Sequence, residues 1–347
     1  MISKITNTLH HSCKLVISSI TALLAQTVAN ADLNNIHLPE GTGISAAIIS
    51  ENNVKFLQFG NPNFNEHSRF EIGSVTKTFT ALAVALHNID HPDFLDTELS
   101  SIITEIKNNK IASITPRLLS THTSGLPRLS ASTQLKAIFN TSDPYKHQTA
   151  QILIQNLNML KQRSTKQIYT YSNFGYAVLG LALEKDIKQP YSTIISNKIL
   201  KPLKMNQSFV HYTPENQKTV VTGYDEKATP TSVWHFKASA PAGAIKSSAY
   251  DLSLYIQAYL SPNDTTLSLA MANTIKTQHK INEQLSIGLG WHIQIHEDQK
   301  IYWHNGGTGG YRSFIGFNPT TRKGIVLLSN YAGIKQLDQT GLEILSQ

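Results

Sequence analysis

The stretch Phe70-Glu71-Ile72-Gly73-Ser74-Val75-Thr76-Lys77-Thr78-Phe79-Thr80 stands where strand-like text gives way to helix-like text. Phe79, Leu82, Ala83 and Leu86 follow at i, i+3, i+4 and i+7, which predicts a helix with one apolar face. Before it, Gly43–Ser50 and Val54–Phe59 read as two strands joined by a turn at Glu51-Asn52-Asn53. Strand-like text returns at Gly290–Ile295, Ile301–Trp303, Ser313–Phe317 and Gly324–Ser329, and a closing helix is expected over roughly Ile334–Leu345. The middle reads as helical, with further helices expected around Tyr176–Leu183 and Asp251–Ile256. The pattern predicts an α/β chain of the α+β kind. An antiparallel sheet forms from N- and C-terminal strands with flanking helices, and a mainly helical region is inserted into it. The sheet part is expected over about residues 32–70 and 288–347, and the helical part over about 71–287. A site is expected in the cleft between the two parts.

Composition bounds the function. A chain of 347 residues, 40% hydrophobic and 15% charged, has the make-up of a globular protein. Such a chain buries roughly 70–75% of the surface its unfolded form exposes, so it needs no metal or disulfide to fold. Cys13 is the single cysteine, which excludes an internal disulfide, and no zinc-ligand spacing or cofactor motif is present. The net charge of +7 is scattered without a long Lys/Arg block, so it reads as a solvated surface and not as a nucleic-acid footprint. At the start, Lys4, His10, His11 and Lys14 lead into the apolar run Leu15–Ala25, and Ala29-Asn30-Ala31 supplies small residues. This predicts an export signal over residues 1–31 and one domain over 32–347, placed in the periplasm or secreted. The apolar run is too short and too rich in serine for a stable membrane span.

Three local patterns carry chemistry. Ser74 and Lys77 lie three apart at a helix start, so they share one face. A serine hydroxyl needs a base to become a nucleophile, and a buried, neutral lysine supplies one. The free N–H groups of the helix start favour a developing negative charge. Tyr171-Ser172-Asn173 is the only Y-x-N in the chain. A phenol beside a lysine passes protons, and an asparagine amide both donates and accepts. The run Trp303-His304-Asn305-Gly306-Gly307-Thr308-Gly309-Gly310-Tyr311-Arg312 lies between two strands, and its glycines let a substrate carbonyl approach. A backbone N–H here pairs with that of Ser74 to form an oxyanion hole. No phosphate-loop pattern and no G-x-S-x-G elbow is present.

Together the three resemble the motif set of the serine penicillin-recognising enzymes: S-x-x-K, then Y-x-N, then K-T-G or H-x-G. Tyr171-Ser172-Asn173 is similar to the middle motif of the branch that holds class C β-lactamases, D-alanyl-D-alanine carboxypeptidases and β-lactamase-like esterases. Leu118–Pro127, Leu200–Met205 and Pro241–Leu252 resemble further segments of that branch, so the likeness covers nearly all of the chain after residue 31. The resemblance implies an acyl-Ser74 intermediate, with Lys77 and Tyr171 sharing the proton work. It implies that Asn173 positions substrate and that Gly307 completes the oxyanion hole. His304 takes the lysine position of K-T-G, where a cation or donor steadies Tyr171 or a substrate anion. Asn305 replaces the threonine that in β-lactamases helps hold the substrate carboxylate, which points away from a dedicated β-lactamase.

The implied activity is hydrolysis of an amide or ester in a small-molecule or peptide substrate, including cell-wall peptides, by a D-amino-acid peptidase, carboxypeptidase or esterase. A class C-like β-lactamase and a penicillin-binding protein that acylates without turnover are the alternatives. His122 reads as structural, and His292 and His296 lack a third ligand, so no metal site is expected.

Overall fold

The computed structural model describes Leu33 and residues 36–50, 53–139 and 143–347. The export signal expected over residues 1–31, and most of the turn expected at 51–53, lie outside the described residues. In chain order the strands are β1 (Gly43–Ser50), β2 (Asn53–Gly60), β3 (Arg69–Glu71), β4 (Gly223–Tyr224), β5 (Pro230–Thr231) and β6 (Lys246–Ser248). They continue as β7 (His279–Lys280), β8 (Leu285–Ile287), β9 (His292–His296), β10 (Gln299–Gly307), β11 (Arg312–Asn318) and β12 (Lys323–Ser329). Eight of them form one sheet in the order β2-β1-β12-β11-β10-β9-β8-β7. Its neighbours pair antiparallel, so the two chain ends meet where Ile44 pairs with Ser329 and Ser50 with Lys323. The two short strands β7 and β8 extend the sheet into residues 279–287, which their polar text (His279, Lys280, Ser286) had placed with the helical part.

Both faces of the sheet are covered, and this explains why its central strands read as unbroken apolar runs. Ile44, Ala46 and Ile48 of β1 join Ile325 and Leu327 of β12 in a core completed by Leu337, Ile344 and Leu345 of the closing helix Leu337–Ser346. Ala47, Ile49, Val326 and Leu328 point the opposite way, into the core shared with the helical part.

The helix Thr76–Asp90 runs through that second core, and every residue from Thr76 to Leu86 is buried. The single apolar face expected from the spacing is therefore a helix covered on all sides. An aromatic column locks it to the sheet. Phe79 stacks on Tyr255 at 4.1 Å, Tyr255 on Trp291 at 6.2 Å, and Tyr259 on Phe317 of β11 at 4.9 Å. The buried polar ends are paired: Trp291 Nε1 donates to the Tyr259 hydroxyl at 3.0 Å, and that hydroxyl bonds Thr274 Oγ1 at 3.0 Å.

Phe79→Ala removes a ring that is fully buried and stacked. The expected loss is about 3–5 kcal/mol in urea unfolding, the usual range for a phenylalanine cavity. A loss below about 1 kcal/mol would show that the column does not hold the helix in place.

Candidate active site

Gly73–Val75 forms a 3-10 turn that runs directly into the helix Thr76–Asp90. The turn's first bond runs from Val75 N to Ile72 O, so the Ser74 N–H has no acceptor within the turn. Gly73 has φ +48°, and a Cβ there would stand 2.6 Å from Gly307 N and 2.8 Å from Gly307 O. A Cβ on Gly306 would stand 2.1 Å from Ile72 O and 3.0 Å from Ser74 N. Glycine at both positions lets the end of β10 lie against the serine turn, which brings the Ser74 and Gly307 backbones together.

Lys77 lies one turn beyond Ser74 and is wholly buried. Its Nζ donates to Ser74 Oγ at 2.9 Å and to the Ala242 carbonyl at 2.7 Å. It also stands 4.9 Å from the centre of the Tyr171 ring. Burial holds its pKa well below the ordinary lysine value, and the Arg128 charge lowers it further. Burial thereby favours the neutral amine, the form whose lone pair can take the Ser74 proton.

Tyr171 reaches the same serine from the other side. Burial pushes its phenol above the ordinary tyrosine value, and its hydrogen bond with Ser74 recovers only part of that shift. A protonated phenol and a neutral amine therefore flank one hydroxyl.

Local structure fixes Tyr171. Ser172 caps the helix Asn173–Ile187 by accepting from Gly175 N at 2.7 Å. Ser172 N donates to His122 Nδ1 at 3.0 Å, and the His122 ring lies 4.5 Å from the Tyr171 ring. His122, expected to be structural, thus orients the Y-x-N segment. Asn173 Nδ2 donates to the Tyr145 hydroxyl at 3.1 Å, which leaves its buried Oδ1 as a free acceptor.

The two remaining residues of the third motif differ from expectation. A carbonyl only accepts, so the 2.6 Å contact from His304 Nδ1 to Asn305 O puts the ring proton on Nδ1. His304 Nε2 is then a buried, unpaired acceptor. Burial, followed by His292 and Lys77, holds the ring pKa well below the ordinary histidine value. Both the contact and the shift favour a neutral ring that presents an acceptor at Nε2, where the resemblance implied a cation or donor. Asn305 Nδ2 donates to Asp338 Oδ2 of the closing helix at 2.5 Å, so its amide is turned away from the serine to a carboxylate.

Ser74, Tyr171, Asn173, Asn305 and Gly307 line one cleft of about 1230 Å³. Tyr145, Trp234 and Phe236 form its aromatic wall, with Tyr145 5.0 Å from Phe236 and 5.6 Å from Trp234. Arg128, Arg312 and Lys335 also line it. Arg312 ends the third motif, whereas the others come from separate segments that no local pattern in the sequence marks. His292 is buried against Trp303 and donates to, or accepts from, the Tyr169 hydroxyl at 2.9 Å, whereas His296 is exposed. Among the described residues no group of three His, Cys, Asp or Glu side chains could hold a metal ion.

A family model described as Beta-lactamase matches residues 37–344. The protein called "Protein flp" of Staphylococcus aureus strain N315 is 28% identical over 319 residues, which cover 86% of this chain and 61% of that protein. The chain thus spans less than two-thirds of the length of that relative. A protein named "Beta-lactamase" from Lysobacter lactamgenus is 23% identical, covering 83% of this chain and 82% of its own. Among solved structures, a β-lactamase/D-alanine carboxypeptidase from Pseudomonas syringae superposes with a TM-score of 0.77 at 21% identity, over 94% of this chain and 97% of that one. A class C β-lactamase in complex with cefoxitin gives a TM-score of 0.79 at 20% identity, over 94% and 98%. At this identity the structural likeness speaks for the fold.

Gly73→Ala should leave the chain folded but cost at least about a hundredfold in kcat, because the new Cβ must push Gly307 away from Ser74. Ester hydrolysis and a thermal melt on the same preparation measure this. Activity within about twofold of the parent would show that the Gly73–Gly307 contact is not needed.

Proposed function

The chain belongs to the beta-lactamase family, whose members are serine hydrolases, and from that premise we propose that it is an exported enzyme cleaving esters or D-amino-acid peptides through an acyl-Ser74 intermediate. One observation carries the reading: the 2.9 Å contact between Ser74 Oγ and a wholly buried Lys77 amine. Ser74 attacks the substrate carbonyl and gives its proton to Lys77. The carbonyl oxygen takes up negative charge against the N–H groups of Ser74 and Gly307. Tyr171 still holds its proton at this stage, which suits it to protonate the leaving group, and Lys77 then returns a proton to the phenol. Water enters by the reverse route, releases the acid and restores Ser74. The free Oδ1 of Asn173 is placed to accept from an N–H on the acyl part of the substrate.

The third motif separates the substrate classes. A β-lactam carries a carboxylate beside its scissile amide, and the resemblance places the anchor for that anion at His304 and Asn305. Here burial disfavours a charged His304, and Asn305 is occupied by Asp338. Loss of one charge-assisted contact costs about 1.5–3 kcal/mol, or roughly one to two powers of ten in rate. Neutral esters do not need that contact. The β-lactamase reading draws support from Arg312, but that guanidinium is already engaged. It donates to Thr308 O at 3.3 Å and to Tyr311 O at 3.2 Å, and it pairs with Glu226 at 3.6 Å. Export rests on the N-terminal reading alone.

The test is kcat/KM for p-nitrophenyl butyrate, a D-alanyl-D-alanine peptide and nitrocefin, with Ser74→Ala as control. The ester or the peptide should be the better substrate by at least about tenfold, and Ser74→Ala should be inactive but folded. A clear preference for nitrocefin over both would restore the β-lactamase reading.

A further inference from the structure

Glu71 lies three residues before Ser74, and only about 2% of it is exposed. Its Oε1 accepts from the Tyr212 hydroxyl at 2.9 Å and from Trp234 N at 2.9 Å. Its second oxygen, Oε2, and the nearby Thr308 Oγ1 are both buried, and neither has a hydrogen-bond partner. Tyr212 and Trp234 both donate, and a carboxylate is the side chain that only accepts. Lys246 stands opposite Glu71 in the β3–β6 ladder, and its Nζ lies 3.8 Å from the centre of the Tyr212 ring. Burial pushes the Glu71 carboxyl up, and Lys246 is the first of the groups that pull it back. Burial likewise brings Lys246 down to about 8, with Glu71 opposing that shift. The mechanism above uses none of these groups.

Their placement is informative. Glu71 is on the strand that delivers Ser74, Thr308 follows Gly307 directly, and Trp234 belongs to the aromatic wall. A second bond ties the same pieces, from Ser313 Oγ to Ile72 O at 2.8 Å. We infer that Glu71 is a positioning residue whose carboxylate clamps the Ser74 strand to the Gly307–Thr308 turn and to Trp234, setting the spacing of the two oxyanion N–H groups. The inference rests on the acyl-Ser74 reading. It adds a requirement for an acceptor-only group at a position that never touches substrate.

The variants are Glu71→Gln, which replaces the acceptor-only carboxylate facing Tyr212 and Trp234 with an amide that also carries N–H₂, and Thr308→Val, which removes the buried hydroxyl beside that carboxyl while keeping the shape. Thr308→Ser restores the hydroxyl. With p-nitrophenyl acetate and butyrate, Glu71→Gln should lower kcat about a hundredfold and leave KM within about twofold, equally for both esters. Thr308→Val should lower kcat about tenfold, and Thr308→Ser should recover most of it. Affinity for an alkyl boronic acid, which forms a tetrahedral adduct on serine, should fall in step with kcat/KM. If Glu71→Gln does not fold, the Thr308 pair decides the matter. Folded variants with kcat within twofold of the parent, or losses confined to KM, would overturn the clamp. Labelling of the parent by a fluorophosphonate at Ser74 keeps the two ideas apart. A labelled parent with unimpaired variants removes the clamp alone, whereas an unlabelled parent removes both.

Discussion

The structure turns on the burial of a single amine. Among the described residues no carboxylate is recorded beside the buried Lys77, whose Nζ meets Ser74 Oγ, a carbonyl and two aromatic rings. Such an amine cannot stay charged cheaply, so its burial favours loss of the proton. The unfolded chain keeps that proton, and the burial therefore weakens the fold at every pH below the ordinary lysine pKa, most of all below the depressed one. The cost is borne by the surrounding core. The buried helix that carries Lys77 also uses its other polar side chains to hold one segment. Thr80 Oγ1 donates to Pro241 O at 2.7 Å, and Ile245 N donates to Thr76 Oγ1 at 3.0 Å. Together with the Lys77 bond to Ala242 O, these bonds fasten residues 241–245 along the helix and form the floor behind Ser74.

Much of this was legible because it is local. Ser74 and Lys77 are separated by one helical turn, so their spacing states their contact. Ser172 is a cap residue followed by an apolar helix, so the Y-x-N segment announces its own geometry. The apolar runs of β1 and β12 likewise read as strands, and the structure adds that both of their faces are covered. What stayed hidden depends on distant partners. No spacing tells that Asn305 meets Asp338 thirty-three positions later, or that His304 spends its only proton on a neighbouring backbone carbonyl. The same holds for the helix Thr76–Asp90. Its periodicity predicts one apolar face, and its complete burial to Leu86 follows from the layers that enclose it.

The cleft combines an aromatic wall on one side with a carboxylate on the other. Tyr145, Trp234 and Phe236 present apolar surface to the cleft, and the Asp338 carboxylate also lines it. Asp338 is half-buried, and burial raises its pKa against its bond to Asn305 and the Arg312 charge. In a pocket of this kind, discrimination between substrates is a matter of the lining and not of a nucleophile and its proton carriers.

The central claim is that Lys77 is neutral before substrate arrives. NMR titration of lysine labelled at Nζ and Cε, with the Lys77 signal assigned by its absence in Lys77→Met, reads this directly. The account requires the change to a neutral amine to occur well below the ordinary lysine value of 10.5. A signal that stays that of a charged ammonium up to about pH 10 would contradict it, and would leave Ser74 without its base.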